Sequence, residues 1–359
     1  MKVIALNSSP RREGISKTGL LLDALAQGMR EAGAEVEIIH LRQKKIKNCI
    51  GCYTCWTKSP GVCALKDDMT AELFPKWLEA DIAVYATPLY HFALNASMKA
   101  FIERTLPVLE PFLERLDGKT VHPLRHGFNA PRGVVLSVAG FPEPSVFDQL
   151  SRYVRFLFGD RLLAEIYRPG AEMLSLPELA AITKDILEAT ARAGQEIVQS
   201  GSILAVTAER IQQPIGGDFD SFSSMANLFW KSCIREGLTP GEFHQRNPVP
   251  RPDSIETFMM VMVRALNRER ASQTKATMQF TFSGEVEGVC HFKIEDGKIE
   301  AKKGASVNPD LIVESPFETW MDVITGKSDG QQLFMQQKYR ASGDLSLLLR
   351  MKELFGGAG

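Results

Sequence analysis

The chain has 359 residues, more than one ordinary hydrophobic core organises, so length alone argues for two domains. Hydrophobic residues make up 44% and charged residues 24%, which excludes a disordered or fibrous chain. With 42 basic against 43 acidic residues the net charge is −1, and the bulk charge gives no case for nucleic acid or an anionic membrane surface.

No apolar run reaches the length that spans a bilayer. The opening Met1-Lys2-Val3-Ile4-Ala5-Leu6 is too short for a signal peptide and reads as a buried first strand, so a cytoplasmic protein is expected. Leu20, Leu22, Leu25 and Met29 follow at near-helical spacing, with Gly33 at the helix end. Val36–Ile39 reads as a second strand, Asp81–Ala86 as a third, Leu94–Leu106 as a helix and Gly133–Ala139 as a fourth strand. Phe147–Phe158 reads as a helix, Leu162–Tyr167 as a fifth strand and Pro177–Val198 as a long helix. Strands alternating with helices predict an α/β domain over residues 1–205, a doubly wound five-stranded parallel sheet of flavodoxin type in the order 2-1-3-4-5.

The alternation stops after residue 205. Residues 206–252 read as a helix at Phe222–Glu236, packed back on the first domain, and a Pro/Gly-rich linker at Pro240–Pro252. From residue 253 to 359 the pattern is α+β. It runs from a helix on Ile255, Phe258, Met259, Met262 and Leu266 to strands at Thr277–Phe282, Val289–Ile294 and Leu311–Val313, with a turn at Asp296-Gly297. Helical stretches close it at Phe317–Ile324, Gly330–Met335 and Leu345–Phe355.

Three loops follow predicted strands and so share one sheet edge. The first, Asn7 to Thr18, opens a helix whose unpaired N–H groups and dipole suit a phosphate, although Ser16 or Thr18 serving only as a helix cap is an equal alternative. It has neither the dinucleotide fingerprint nor a P-loop. Ser9-Pro10-Arg11, Gly14 and Thr18 resemble the FMN-phosphate loop of the NADPH-dependent FMN reductase and iron-sulfur flavoprotein families. Those families often carry Asn-Thr where this chain has Ser16-Lys17-Thr18. Thr87-Pro88-Leu89-Tyr90-His91-Phe92, then Ser97 to Arg104, resembles their flavin-ring loop and following helix, and Gly140-Phe141-Pro142-Glu143 resembles their third loop. The resemblance covers about residues 1–200. It implies FMN held by Ser9, Arg11, Ser16, Lys17, Thr18, Pro88, Leu89, Tyr90, His91, Phe92, Gly140 and Phe141, with NADPH or NADH as donor. Plain core packing is the alternative for Tyr90 and Phe92, and a solvated loop histidine is the alternative for His91.

Four of the six cysteines, Cys49, Cys52, Cys55 and Cys63, lie within fifteen residues, a density that points to metal or redox chemistry. Their spacing resembles the motif of iron-sulfur flavoproteins, which implies a [4Fe-4S] centre. Free or reversibly oxidised thiols and a structural zinc stay open beside it. Cys233 and Cys290 read as buried small hydrophobes.

Phe280-Thr281-Phe282-Ser283-Gly284, Phe292 to Lys298, Pro309 to Val313, Trp320 with Gly326-Lys327, and Ser342 to Leu345 resemble the sterol-carrier-protein type lipid-binding domain. The match departs where that family usually has glycine before a lysine, because Gln337 precedes Lys338 here. The resemblance implies an apolar tunnel for a lipid, with Met259, Met262, Met321, Met335 and Met351 as candidate lining or as ordinary core.

The leading expectation is therefore an FMN-dependent oxidoreductase passing electrons to a small-molecule or protein acceptor. It would be a homo-oligomer by family analogy, with no nucleic-acid partner and no membrane span. The rival is a lipid carrier or sensor whose flavin domain is regulatory or structural.

Overall fold

The computed structural model describes residues 1–116, 118–246 and 249–356, the side chain at 178 excepted. It divides into two compact units, Met1–Gly217 and Asp218–Gly359.

The first unit runs β1 (Lys2–Asn7), α1 (Lys17–Glu31), β2 (Glu35–His40), α2 (Phe74–Glu79), β3 (Ile82–Pro88) and α3 (Ala96–Glu103). A short hairpin, β4 (Glu114–Leu116) and β5 (Lys119–Val121), precedes β6 (Arg132–Val138), α4 (Asp148–Phe158), β7 (Leu162–Arg168), α5 (Ala180–Ser200) and α6 (Ala205–Gln212). The sheet has the order β2-β1-β3-β6-β7 and every neighbouring pair is parallel. Counted by its own strands this is the expected 2-1-3-4-5.

Period-2 alternation explains how both faces are covered. Val3, Ala5, Val84, Ala86, Val134, Leu136 and Ile166 share one core with Leu21, Leu25 and Met29 of α1 and Ile186 and Ile197 of α5. Ile4, Leu6, Tyr85, Val135 and Tyr167 share the opposite core with Phe74, Trp77, Met98, Phe101 and Leu150 from α2, α3 and α4. Helices α1 and α5 cross at backbone contact. A Cβ on Gly28 would lie 1.7 Å from the Ala191 carbonyl oxygen, and one on Gly194 would lie 2.2 Å from that of Leu25. Arg168, at the end of β7, is 1% exposed and donates to the carbonyls of Ile211 (2.7 Å) and Gln213 (2.8 Å). Burial pushes its pKa down to about 10.

The second unit contains α7 (Phe219–Glu236), α8 (Pro240–Arg246), α9 (Ile255–Ala265), β8 (Ala276–Ser283), β9 (Gly288–Glu295), β10 (Lys298–Lys303) and β11 (Leu311–Pro316). It closes with α10 (Phe317–Ile324), α11 (Gly330–Met335), β12 (Arg340–Gly343), α12 (Leu345–Leu349) and α13 (Met351–Phe355). Its sheet order is β10-β9-β8-β11-β12, antiparallel except for the parallel β8–β11 pair. Phe258, Phe280, Phe282, Phe292, Phe317 and Trp320 fill the core in edge and tilted contacts.

Several local expectations need correction. The stretch read as a linker contains α8, which buries Phe243, and residues 247–248 fall outside the described residues. Helix α7, expected on the first domain, belongs to the second unit and packs on α9. Arg350 breaks the last helix into two. Met262 and Met321 are core, but Met335 is 82% exposed. Gln337, where the resemblance leads one to expect glycine, has φ +56°, the left-handed conformation glycine adopts without strain.

Candidate functional site: a strand-end cradle and a thiol cavity

The carboxyl ends of the parallel strands carry four loops, and hydrogen bonds fasten them into one rim. The Ser8 N–H donates to Ala86 O at 2.9 Å, joining the loops after β1 and β3. Asn95 tightens this join. Its Nδ2 donates to Ser8 O at 2.6 Å, its N–H donates to Thr87 Oγ1 at 3.2 Å, and its Oδ1 caps α3 by accepting from Met98 N–H. Leu89 N–H donates to Val138 O at 2.9 Å, and Gly170 N–H donates to Phe141 O at 2.7 Å, linking the loops after β3, β6 and β7. Arg11 pairs with Glu172 at 2.6 Å and closes the rim.

Ser9, Ser16 and Thr18 are buried where α1 begins. The Ser16 hydroxyl accepts from Gly19 N–H at 3.0 Å, so its capping role is real. The N–H groups of Lys17 and Thr18 have no intrahelical acceptor by helix geometry. Lys17 is half-buried, and that burial lowers its pKa against the opposing pull of the Glu172 carboxylate. The loop thus gathers N–H donors with the cations Arg11 and Lys17, a donor set that suits a phosphate monoester.

Across the rim stands an aromatic turn. Tyr90 and Ala93 exchange both backbone hydrogen bonds, at 3.1 and 3.0 Å, leaving His91 and Phe92 as a two-residue turn with φ +48° and +61°. Such turns ordinarily carry Asn-Gly, and two bulky residues there are strained. Tyr90 and Phe92 are 45% and 50% exposed, which removes core packing as their role. Phe92 faces Phe141, itself 56% exposed, with ring centroids 6.1 Å apart and planes 5° from parallel. Pro88 is buried at the end of β3, Leu89 is half-buried and His91 is exposed. A Cβ on Gly140 would meet nothing nearer than the Glu172 side chain at 3.9 Å, so the space beside it is open. Phosphate donors on one side and planar apolar walls on the other fit FMN.

Cys49, Cys52, Cys55 and Cys63 line one cavity of about 20 Å³, together with Arg104. Burial pushes the Cys55 thiol up, and the neighbouring thiols add to this. Hydrogen bonding to Thr54 pulls the exposed Cys52 thiol down. Arg104 and Asp67, each with a side chain 1% exposed, form the ion pair that anchors the loop to α3, at 2.7 Å. Arg104 also donates to Lys47 O at 2.7 Å and to Thr70 Oγ1 at 3.1 Å. Its buried Nε has no hydrogen-bond partner among the described residues. As arranged, no three His, Cys, Asp or Glu side chains among those residues are positioned to hold a metal ion. The orphaned Arg104 N–H lies at the cavity the four cysteines line, a donor suited to an anionic sulfur atom.

The structure therefore brings the twelve flavin-loop candidates to one sheet edge and the four cysteines to one cavity. Sequence reading missed Asn95, Arg104, Asp67 and Glu172. Asn95 carried a usable signal, a helix-capping residue just before Ala96. Cys233 and Cys290 are buried, and burial raises the Cys290 thiol to about 12. No helix among the described residues is long and apolar enough to cross a membrane.

An iron-sulfur flavoprotein from Archaeoglobus fulgidus is 40% identical over 107 residues, 30% of this chain and 46% of that protein. An iron-sulfur flavoprotein from Methanocaldococcus jannaschii is 37% identical over 108 residues, 30% of this chain and 53% of that protein. The chain spans about half the length of these curated relatives. Among solved structures, an NAD(P)H:quinone oxidoreductase from Methanothermobacter marburgensis aligns with 21% identity and a TM-score of 0.41, over 55% of this chain and 96% of that one. Residues 1–138 match the NADPH-dependent FMN reductase family and residues 261–356 the SCP-2 sterol transfer family, so the chain joins a domain of the first to a domain of the second.

Proposed function

We propose that the protein is an FMN-dependent oxidoreductase that takes hydride from NADPH or NADH, and that its four-cysteine cavity holds a [4Fe-4S] centre. The observation that carries this reading is the rim itself, four strand-end loops fastened around a helix N-terminus and an exposed, strained aromatic turn. Bound there, FMN would supply reversible two-electron chemistry. The protein's part is positional. The first turn of α1, Arg11 and Lys17 hold the phosphate, while Leu89, Tyr90, Phe92 and Phe141 lie along the ring and exclude water. Cys49, Cys52, Cys55 and Cys63 supply the thiolates and Arg104 a hydrogen bond to sulfur. The second unit, over the residues that match the SCP-2 sterol transfer family, is the proposed binding domain for an apolar ligand.

The test is a visible spectrum of protein purified without oxygen, with iron and acid-labile sulfide assayed on the same sample. A flavin spectrum bleached by NADPH or NADH is expected. Protein that neither carries nor takes up FMN refutes the flavin reading. Absence of iron and sulfide after reconstitution refutes the cluster reading.

A further inference from the structure

The rim that gathers donors for a phosphate also carries a carboxylate. Glu172 lies just past the end of β7, after Gly170, whose φ of +60° turns the chain, and within the short turn Ala171–Ser175. That turn is fixed on both sides of Glu172. Ala171 and Leu174 are buried in the first core, and Ala171 N–H donates to Ala139 O at 2.8 Å. Glu172 O accepts from the Ser175 hydroxyl at 3.1 Å. The carboxylate is thus presented from a packed turn.

It acts on three parts of the rim. Arg11 Nη1 donates to Glu172 Oε1 at 2.6 Å. The Glu172 charge opposes the lowering of the Lys17 pKa that burial causes. Glu172 Cγ is the nearest atom, at 3.9 Å, to the place a Cβ on Gly140 would take. Both cations that suit the phosphate therefore already answer to one carboxylate.

The Arg11–Glu172 pair is open to water, its side chains 48% and 56% exposed. Exposed pairs contribute little, whereas a guanidinium holds two phosphate oxygens at once through charge-assisted hydrogen bonds. An arriving phosphate dianion would take Arg11 from Glu172. The displaced carboxylate would then stand beside Lys17 as a like charge opposing the phosphate.

We propose that Glu172 competes with the flavin phosphate for Arg11, which sets how readily FMN leaves and lowers the preference of the site for FMN over phosphate-free riboflavin. This rests on reading the rim as the FMN site. Ion pairs exchange, and no bond is made or broken.

The test titrates the full-length apo-protein with FMN and with riboflavin, followed by flavin fluorescence. It compares wild type with Glu172→Gln, Arg11→Gln and the variant carrying both. Glu172→Gln should bind FMN about tenfold tighter and release it more slowly, with riboflavin affinity unchanged. The gain should be smaller in the Arg11→Gln background and should shrink at about 1 M salt, where the Debye length is about 3 Å. Equal or weaker FMN binding by Glu172→Gln, an equal gain for riboflavin, or an undiminished gain without Arg11 overturns the proposal and leaves the FMN site standing. Absence of FMN binding in wild type and all three variants removes the site, and the proposal with it.

Discussion

Replacing Asp67 with asparagine tests how the thiol loop is held. The Asp67 carboxylate accepts from Arg104 at 2.7 and 3.0 Å, from Lys47 N–H at 2.8 Å and from Thr70 N–H at 3.3 Å. Asparagine keeps the shape and removes the charge, leaving the Arg104 guanidinium buried without a counter-ion. Breaking a buried pair in this way costs about 3–5 kcal/mol. At a urea dependence of about 2 kcal/mol per molar, the midpoint of the first unit should fall by about 2 M. Both ends of the cysteine loop hang from this pair, so Cys55 should also label much faster with a thiol reagent in the apo-protein. The pH dependence follows in sign. Burial alone would raise the Asp67 pKa, but the hydrogen bonds and charge of Arg104 overcome it and hold the carboxyl below its usual range. The pair's stabilisation is therefore complete above the unfolded carboxylate pKa near 4 and is lost as pH falls through the depressed folded value. The asparagine variant should lack that acid-dependent component. A loss under about 1 kcal/mol, with Cys55 labelling unchanged, refutes the reasoning.

Gly28→Ala should destabilise the first unit by about 2 kcal/mol or more, because the overpacking it causes outweighs the gain of about 1 kcal/mol in helix propensity. Thermal unfolding measures it, and a stabilised variant would show that α1 and α5 separate freely. Phe92→Gly should relieve left-handed strain worth about 1 kcal/mol and at the same time weaken FMN binding. Paired unfolding and flavin-titration curves check this, and equal FMN affinity would remove Phe92 from the site. In the apo-protein Cys52 should be the first thiol to react and Cys290 the last, since Cys290 is fully buried with its thiol raised to about 12. Mass-spectrometric mapping of a timed alkylation reads the order.

The runs Asp81–Ala86 and Gly133–Ala139 announce themselves because strands covered on both faces are continuously apolar. Loops after such strands must share an edge, so most of the flavin rim could be read in advance. What was hidden depends on partners distant in sequence. Asn95 reaches Ser8 across 87 residues, and Arg104 reaches Asp67 across 37. No local pattern marks either join. Helix α8 was hidden by Pro240, which read as linker chemistry although proline is tolerated in a first helical turn. Strand β10, Lys-Ile-Glu-Ala-Lys-Lys, is an edge strand whose charges mask its alternation.

The parallel pairing of β8 with β11 sets an order of assembly. The hairpins β8–β9 and β9–β10 can form as soon as they leave the ribosome, but the second hydrogen-bonding edge of β8, a strand carrying the apolar Met278, Phe280 and Phe282 on one face, has no partner until Leu311–Pro316 has been made. Through that interval the nascent second unit presents an open apolar edge, the template on which strands of other chains add. The first unit has no such interval after residue 168, where its fifth strand is complete. A stop or protease cut between residues 304 and 310 should therefore leave a finished reductase-family sheet tethered to an aggregation-prone half-sheet.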